Sequence, residues 1–309
     1  MPAPLSLPEG YTQRALAVTD AAAVTAVMAA QELHDVGEVV IEEADIVADW
    51  QRPSYDVTQS SVGVFADDTM VGYAEITGGD RGDAAVHPDH RGRCIGTALA
   101  QWMQGLAREQ GKPIVGMPVP EGSPGDRLLE SLGYHVRWTS WVLELPEGAT
   151  IAERPLPEGY AVREATDDDY RDVWTVTEDA FLEWSERERQ SFEDWRARVV
   201  LRPGFQPWNL RVVTDPDGQV VAIAYIVLFK GNGTTEGYVD QVATRADQRG
   251  RGLAQVLLAD AFAAARAHGA ARSALSTDTR TGALGLYEKV GMKVASTWLN
   301  RAVRTGSET

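Results

Sequence analysis

The chain has 309 residues, 44% hydrophobic and 24% charged, with a formal net charge of −16; this is the composition of a core-forming globular protein, and the length suits two domains of roughly 150 residues each. The acidic balance argues against nucleic-acid binding, which wants a basic face, and no apolar run approaches the ~18 residues of a membrane span. Cys94 is the only cysteine, which excludes an intramolecular disulfide.

The opening residues lack a basic n-region and an apolar h-region, so no signal peptide is expected and the protein reads as cytoplasmic. In chain order, Asp20 is placed to cap an Ala/Val-rich helix over Ala21–Gln31. Ser61–Ala66 and Met70–Thr77 alternate like a hairpin about Asp67-Asp68-Thr69, and a short strand ends near Val86. Arg91–Thr97 reads as a turn before a helix that runs to about Gln110 and stops at Gly111. Ile114–Met117 is expected as a buried strand, Asp126–Leu132 as a short helix ended by Gly133, and Val136–Leu145 as a final strand. Pro146–Pro157, with three prolines and little periodicity, reads as a linker.

Beyond it the order returns. A helix is expected over Asp168–Ala180, then an acidic and aromatic segment over Phe181–Trp208. Strands follow at Asn209–Asp215, Val220–Leu228 and Tyr238–Thr244, then a glycine turn and a helix over Leu253–His268 closed by Gly269. Strand Arg272–Thr277, helix Gly282–Val290 and strand Lys293–Val303 complete the copy. Each copy mixes a strand meander with helices in an α/β (α+β) layer.

The repetition is countable. Arg91 and Arg249 stand 158 apart (249 − 91), as do Gly133 and Gly291 (291 − 133), and the pentapeptide at Leu7–Tyr11 recurs at Leu156–Tyr160. Three landmarks in one order mean duplication, and since repeat periods of solenoids are far shorter, this is two domains and not an array. The implied domains are residues 1–148 and 156–309.

The most informative stretch is Gln248-Arg249-Gly250-Arg251-Gly252-Leu253-Ala254 ahead of a helix. Its glycines let backbone N–H groups close around a phosphate at a helix N-terminus. Arg91-Gly92-Arg93-Cys94-Ile95-Gly96-Thr97 is a worn copy. Alone, such a turn is equally an ordinary loop or a basic patch; neither a Walker nor a Rossmann glycine pattern is present.

The wider order resembles the GNAT N-acetyltransferase superfamily, in the tandem form of mycothiol synthase-like bacterial acetyltransferases. A strand leads to Arg249, Gly252 and Ala254, then come a helix, a strand, and a short helix with Ala283, Leu286, Tyr287, Gly291 and Met292. Arg280 stands where that family has Asn. The resemblance implies two tandem domains, each a mixed, mostly antiparallel sheet flanked by helices. It implies acetyl-CoA as cosubstrate, with its pyrophosphate on the backbone of Arg249, Gly250, Arg251, Gly252, Leu253 and Ala254, and its pantetheine arm along Val242, Ala243 and Thr244.

Direct acyl transfer to an amine needs a base for the ammonium and an acid for the thiolate. Tyr287 matches the family's acid; without the resemblance, a tyrosine there is packing. Asp240 is the chosen base over Glu236, and a bulge in that strand would shift its register. The first copy has Cys94 at the first glycine position and Leu129 at the place of Tyr287, so the first domain is expected to be degenerate and the second catalytic. Glu183 and Trp184, in the acidic and aromatic segment, are the substrate candidates; the alternative is an amphipathic helix with a packed stripe and a wet acidic face. The five histidines show no metal-ligand spacing, so no metal is expected. The leading expectation is acetyl transfer to a small, cationic amine, with no nucleic-acid or membrane partner. The alternative is a non-catalytic acyl-CoA-binding or regulatory tandem protein.

Overall fold

The computed structural model describes residues 4–231 and 233–306. In chain order the first copy runs β1 (Tyr11–Arg14), α1 (Ala21–Asp35), α2 (Glu43–Trp50), α3 (Val57–Ser60), β2 (Ser61–Ala66), β3 (Thr69–Gly78), β4 (Arg81–Val86), α4 (Ile95–Glu109), β5 (Ile114–Pro120), α5 (Pro124–Ser131) and β6 (His135–Glu144). The second runs β7 (Ala161–Glu164), α6 (Tyr170–Leu182), α7 (Phe192–Arg198), β8 (Leu210–Thr214), β9 (Val220–Gly231), β10 (Thr234–Thr244), α8 (Leu253–Ala267), β11 (Arg272–Asp278), α9 (Leu284–Lys289) and β12 (Lys293–Arg304).

The chain forms two compact units. One takes the chain up to Thr139 plus the segment from Thr297; the other is Ser140–Ser296. Strand order in the first is β1-β2-β3-β4-β5-β12, and in the second β7-β8-β9-β10-β11-β6. The last strand of each sequence half therefore completes the sheet of the other unit. β12 pairs antiparallel with β5 from Trp298↔Pro120 to Arg304↔Ile114, and β6 pairs antiparallel with β11 from Glu144↔Ala274 to Ser140↔Asp278. β4 with β5 and β10 with β11 are parallel; the other recorded pairings are antiparallel.

Each sheet buries both faces, which explains why its central strands read as apolar runs rather than strict alternation. In the first unit α4 covers one face through Ile95, Leu99, Met103 and Leu106, while α1 and α2 cover the other through Val24, Val27 and Trp50. In the second, α8 covers one face through Leu253, Leu257, Leu258 and Phe262, and α6 and α7 cover the other through Val173, Val176 and Trp195. Burial of each such large side chain stabilises by roughly 1.5–3 kcal/mol.

The duplication extends to individual bonds. Arg14 grips Asp20 with both guanidinium nitrogens, and Arg163 grips Asp169 the same way; both steps are 149 (163 − 14, 169 − 20). The N–H of Tyr134 donates to Leu129 O at 3.0 Å, and that of Met292 to Tyr287 O at 3.1 Å, past Gly133 and Gly291 in left-handed conformation. Asp20 precedes α1 but does not cap it: its carboxylate is held by Arg14 and by the N–H of Ala17, in the 3-10 turn before the helix. The proline-rich stretch is likewise no free linker, because Ile151 is 5% exposed in the core beneath α8.

Candidate functional site

The site of interest in the second unit begins where β10 and β11 part. Their parallel pairing ends at Val239↔Leu275. β10 then bulges: Val239 faces Ile226 and Gln241 faces Tyr225, so Asp240 is the extra residue. It is exposed. From there Val242, Ala243 and Thr244 pair with Ala224, Ile223 and Ala222 of β9 alone. Their other backbone edge is open, a geometry that accepts an extended amide-bearing chain by strand-like hydrogen bonds. At the end of that edge Thr244 Oγ1, like Trp195 Nε1 in the core, is buried with no hydrogen-bond partner among the described residues; a further polar group at the edge would satisfy it.

The chain next makes a 3-10 turn at Ala246–Gln248 and passes through Gly250 (φ 75°) and Gly252 (φ 82°) into α8. The N–H groups of Gly250, Arg251 and Gly252 have no partner among the described residues. Gly252 is the N-cap of α8, and no side chain accepts from the first N–H groups of the helix. Leu253 and Ala254 open the helix itself. This arrangement fits a phosphate group.

The guanidinium of Arg249 is already engaged. It donates to both carboxylate oxygens of Glu183 at 2.6 and 2.7 Å and to Thr244 O at 3.2 Å. In the first unit Arg91 holds Asp35 in the same bidentate way, at 2.7 and 2.8 Å. A clamp that recurs in both copies ties the turn to the end of α1 or α6, so the arginine at this position anchors through its side chain and leaves its backbone to the turn. Arg249 also holds the Glu183 carboxyl below the usual carboxylate range by its hydrogen bonds. Arg251 leans over the Tyr160 ring, 6.0 Å from its centroid, and Tyr160 donates to Gln248 at 2.8 Å. The pentapeptide tyrosine thus braces the turn, as Tyr11 braces the worn turn through His90 and Arg93.

Tyr287 lies on α9, 6% exposed among Leu253, Leu257 and Met292. Burial pushes its phenol up to about 12, so it is a neutral proton donor across the physiological range. Glu236, the other carboxylate considered as base, is buried and accepts from Arg272 at 2.8 Å; it is an ion-pair partner within the sheet. Asp240 is the acid on the exposed bulge.

The acidic and aromatic segment divides in two. Trp195 is 1% exposed and stacks on Phe192 at 5.8 Å, Phe205 meets Tyr225, and Trp208 stacks on His268 at 4.1 Å. These rings are core. Glu178 is buried and held by Arg187 at 2.7 and 2.8 Å, and Asp179 is paired with Arg189. Trp184 remains at the surface beside Phe181, and the Arg280 guanidinium lies 4.8 Å from its ring centroid. Arg280 is in turn held by Asp278. Glu183 and Trp184 therefore each carry a cation of the chain itself.

The first unit has the corresponding cleft as a cavity of about 370 Å³, lined by Val86, Cys94, Ile95, Met117, Leu128 and Leu129 among others. Its strands part early, at the single pair Arg81↔Gly116. Cys94 occupies the left-handed N-cap position (φ 62°) that Gly252 fills in the second unit. Its side chain narrows the approach to the helix N-terminus, so the turn is the poorer phosphate site. Sequence reasoning also missed a buried acid here: Glu75 accepts from Trp50 at 2.8 Å and Tyr55 at 2.6 Å, and burial pushes it up to about 7. Its partners lie 20 and 25 residues away, so no local spacing announces it. Among the described residues no cluster of His, Cys, Asp and Glu suited to a metal is found, and no helix is long and apolar enough to cross a membrane.

The model of the acetyltransferase (GNAT) family matches the chain twice, over residues 29–134 and 161–292. A mycothiol acetyltransferase of Salinispora arenicola is 30% identical over 252 residues, 76% of this chain and 78% of that protein; its counterpart in Salinispora tropica is 28% identical over 249 residues, with the same two shares covered. The crystal structure of a GCN5-related N-acetyltransferase from Sphaerobacter thermophilus is similar at a TM-score of 0.71 and 26% identity, over 97% of each chain. A tandem GNAT protein of the clavulanic acid pathway shares the fold at a TM-score of 0.70 and 15% identity, over 97% of this chain and all of that one.

Proposed function

The chain belongs to the acetyltransferase (GNAT) family and is an N-acetyltransferase, and on that premise we propose that its second unit transfers acetyl from acetyl-CoA to the amine of a small molecule. One observation carries this assignment: the open edge of β10 runs directly into a glycine turn with unpartnered N–H groups. In this reading Val242, Ala243 and Thr244 hold the pantetheine arm. The N–H groups from Gly250 to Ala254 hold the pyrophosphate at the helix N-terminus, where the dipole favours an anion. Arg249, expected to give backbone to the phosphate, instead anchors the turn: its side chain stays with Glu183 and its N–H donates to Ala246 O at 3.4 Å.

Asp240 takes the proton from the acceptor ammonium, directly or through water, and the amine attacks the thioester carbonyl. Tyr287 gives its proton to the departing thiolate. Glu183 and Trp184 wall the acceptor side, with Arg249 and Arg280 on them. The acceptor is not carried over from relatives at this identity, but their names place mycothiol-related amines first in a test panel.

The test is thiol release from acetyl-CoA across amines. Steady CoA production with one class of amine is expected; binding of acetyl-CoA with no turnover on any amine would leave a sensor instead of an enzyme. The cavity in the first unit favours a second ligand there. Calorimetry with CoA reads this as two sites per chain, the weaker one lost when Leu129→Trp fills the cleft. A single site that survives this change removes that part of the reading.

A further inference from the structure

The segment between the two copies does more than connect them. Ile151 is buried in the core cluster of the second unit, and Gln255 in the first turn of α8 donates to Ala152 O at 3.0 Å. These two anchors lay residues 151–154 across the start of α8. The side chain of Arg154 then lies on the turn itself: a Cβ placed on Gly252 would be 2.3 Å from Arg154 Nε and 2.7 Å from its Cζ.

That placement is electrostatically incomplete. A guanidinium is charged at any relevant pH, and here it rests on the positive end of a fifteen-residue helix. Among the described residues Arg154 has no hydrogen bond, ion pair or ring contact, whereas Arg249 and Arg251 nearby have Glu183 and Tyr160. Two positive features face each other with no anion between them. Both are relieved by the same ligand, a group with several charged oxygens that bridges turn and guanidinium.

We propose that Arg154 is a pyrophosphate-binding residue of the CoA site, delivered by the segment that joins the two copies. The proposal rests on the reading that the turn at Arg249–Ala254 receives CoA. Arg154 covers the glycine in the absence of ligand. With its backbone held by Ile151 and Ala152, its long side chain swings off Gly252 and donates to the outer phosphate oxygens as the anion settles on the N–H groups. The first copy lacks the device: counted back by the 149-residue step, position 154 corresponds to Leu5, which packs against the apolar core.

Calorimetry tests this with CoA, dephospho-CoA and pantetheine on the whole chain, its Arg154→Gln and Arg154→Lys variants, and Gly252→Asp as marker of the turn. Arg154 is exposed, so the two arginine variants are expected to keep the parent's urea midpoint. Arg154→Gln is expected to weaken CoA and dephospho-CoA on the order of tenfold, the scale of one charge-assisted hydrogen bond. Pantetheine binding should be unchanged, Arg154→Lys intermediate, and the salt dependence of CoA binding shallower without the charge. Loss of CoA in Gly252→Asp with parental affinity in Arg154→Gln overturns the Arg154 assignment alone. Parental affinity in Gly252→Asp, in a folded protein, overturns the turn reading beneath it. Tighter CoA binding in Arg154→Gln would make the arginine an obstruction, and an effect confined to CoA over dephospho-CoA would move it to the 3′-phosphate; either result refutes the pyrophosphate role.

Discussion

Single residues carry the difference between the two copies. Position 287 holds a phenol and position 129, one 158-residue step earlier, holds a leucine; both are buried at 6% and 3% exposure. The surroundings alone would make Tyr287 a core residue, and its role rests on the one polar atom it adds. Tyr287→Phe removes that atom and keeps the ring, so kcat is expected to fall on the order of 10²-fold with KM for acetyl-CoA little changed. Near-parental kcat in steady-state assays would return Tyr287 to packing. Because burial raises the phenol to about 12, an alkaline loss of activity below pH 10 is expected to belong to another group and to persist in the Phe variant. Glu75 gives a second test at this scale. Its folded value of about 7 lies above the unfolded value, so the stability of its neutral form is present at low pH and is lost as pH rises from about 4 through 7. Glu75→Gln retains an oxygen to accept from Trp50 and Tyr55. It should leave stability unchanged near pH 4 and raise it at pH 8, by up to about 3 kcal/mol. Equal urea midpoints for variant and parent at pH 8 would show that Glu75 is charged without cost in the native state.

At the scale of elements, what was legible in the sequence was what local pattern encodes. The glycine turns before α4 and α8, the helices after them and the hairpin at Asp67 have short-range causes, namely φ > 0 glycines, helical periodicity and a polar turn between two apolar runs; the alternation expected of the hairpin strands is absent, because both faces of β2 and β3 are buried. The short edge strands β1 and β7 and the helix α2 were not legible, because four or eight residues carry too little periodicity and their place is set by a partner strand or core. The site followed the same division. The glycine turn and the strand ahead of it were readable locally, but the register of that strand past its bulge was not; the Arg249–Glu183 clamp, the Arg91–Asp35 clamp and the guanidinium of Arg154 on Gly252 join residues 56 to 98 apart in sequence. The acidic and aromatic segment shows where pattern misleads. Its rings looked alike, yet Trp195 is 1% exposed and Trp184 half-buried beside Arg280. Trp195→Ala is expected to cost about 3–5 kcal/mol by opening a cavity between α6 and α7. Trp184→Ala is expected to cost little stability and to change KM for the amine. Urea unfolding and acceptor kinetics on both variants check this; a reversed order would mean that the two rings have been given each other's roles.

The whole molecule differs most from a reading of the chain as two beads. A cut in the proline-rich stretch divides the sequence into its duplicated halves, residues 1–148 and 156–309, but it does not divide the sheets. The first half would keep β1 to β6 and lose β12, the strand that pairs with β5 from Pro120↔Trp298 to Ile114↔Arg304. It would also lose Arg301, which is 7% exposed and ion-paired with the equally buried Asp126 while donating to Tyr134 O at 3.1 Å. The second half would lose β6 from the edge of β11, together with Ile151 and Arg154. An open sheet edge invites pairing with other chains, and a buried carboxylate without its arginine costs about 3–5 kcal/mol. In the intact chain the single change Arg301→Met, which removes the charge and keeps most of the apolar length, should lower the stability of the first unit by that amount in urea unfolding. The two halves made separately are expected to aggregate or to lack a cooperative transition, and to recover one when expressed together, since each then supplies the strand the other lacks. Cooperative unfolding of a monomeric 1–148 fragment with the intact chain's midpoint would show that β12 is dispensable, and that the exchange of terminal strands does not hold the first sheet together.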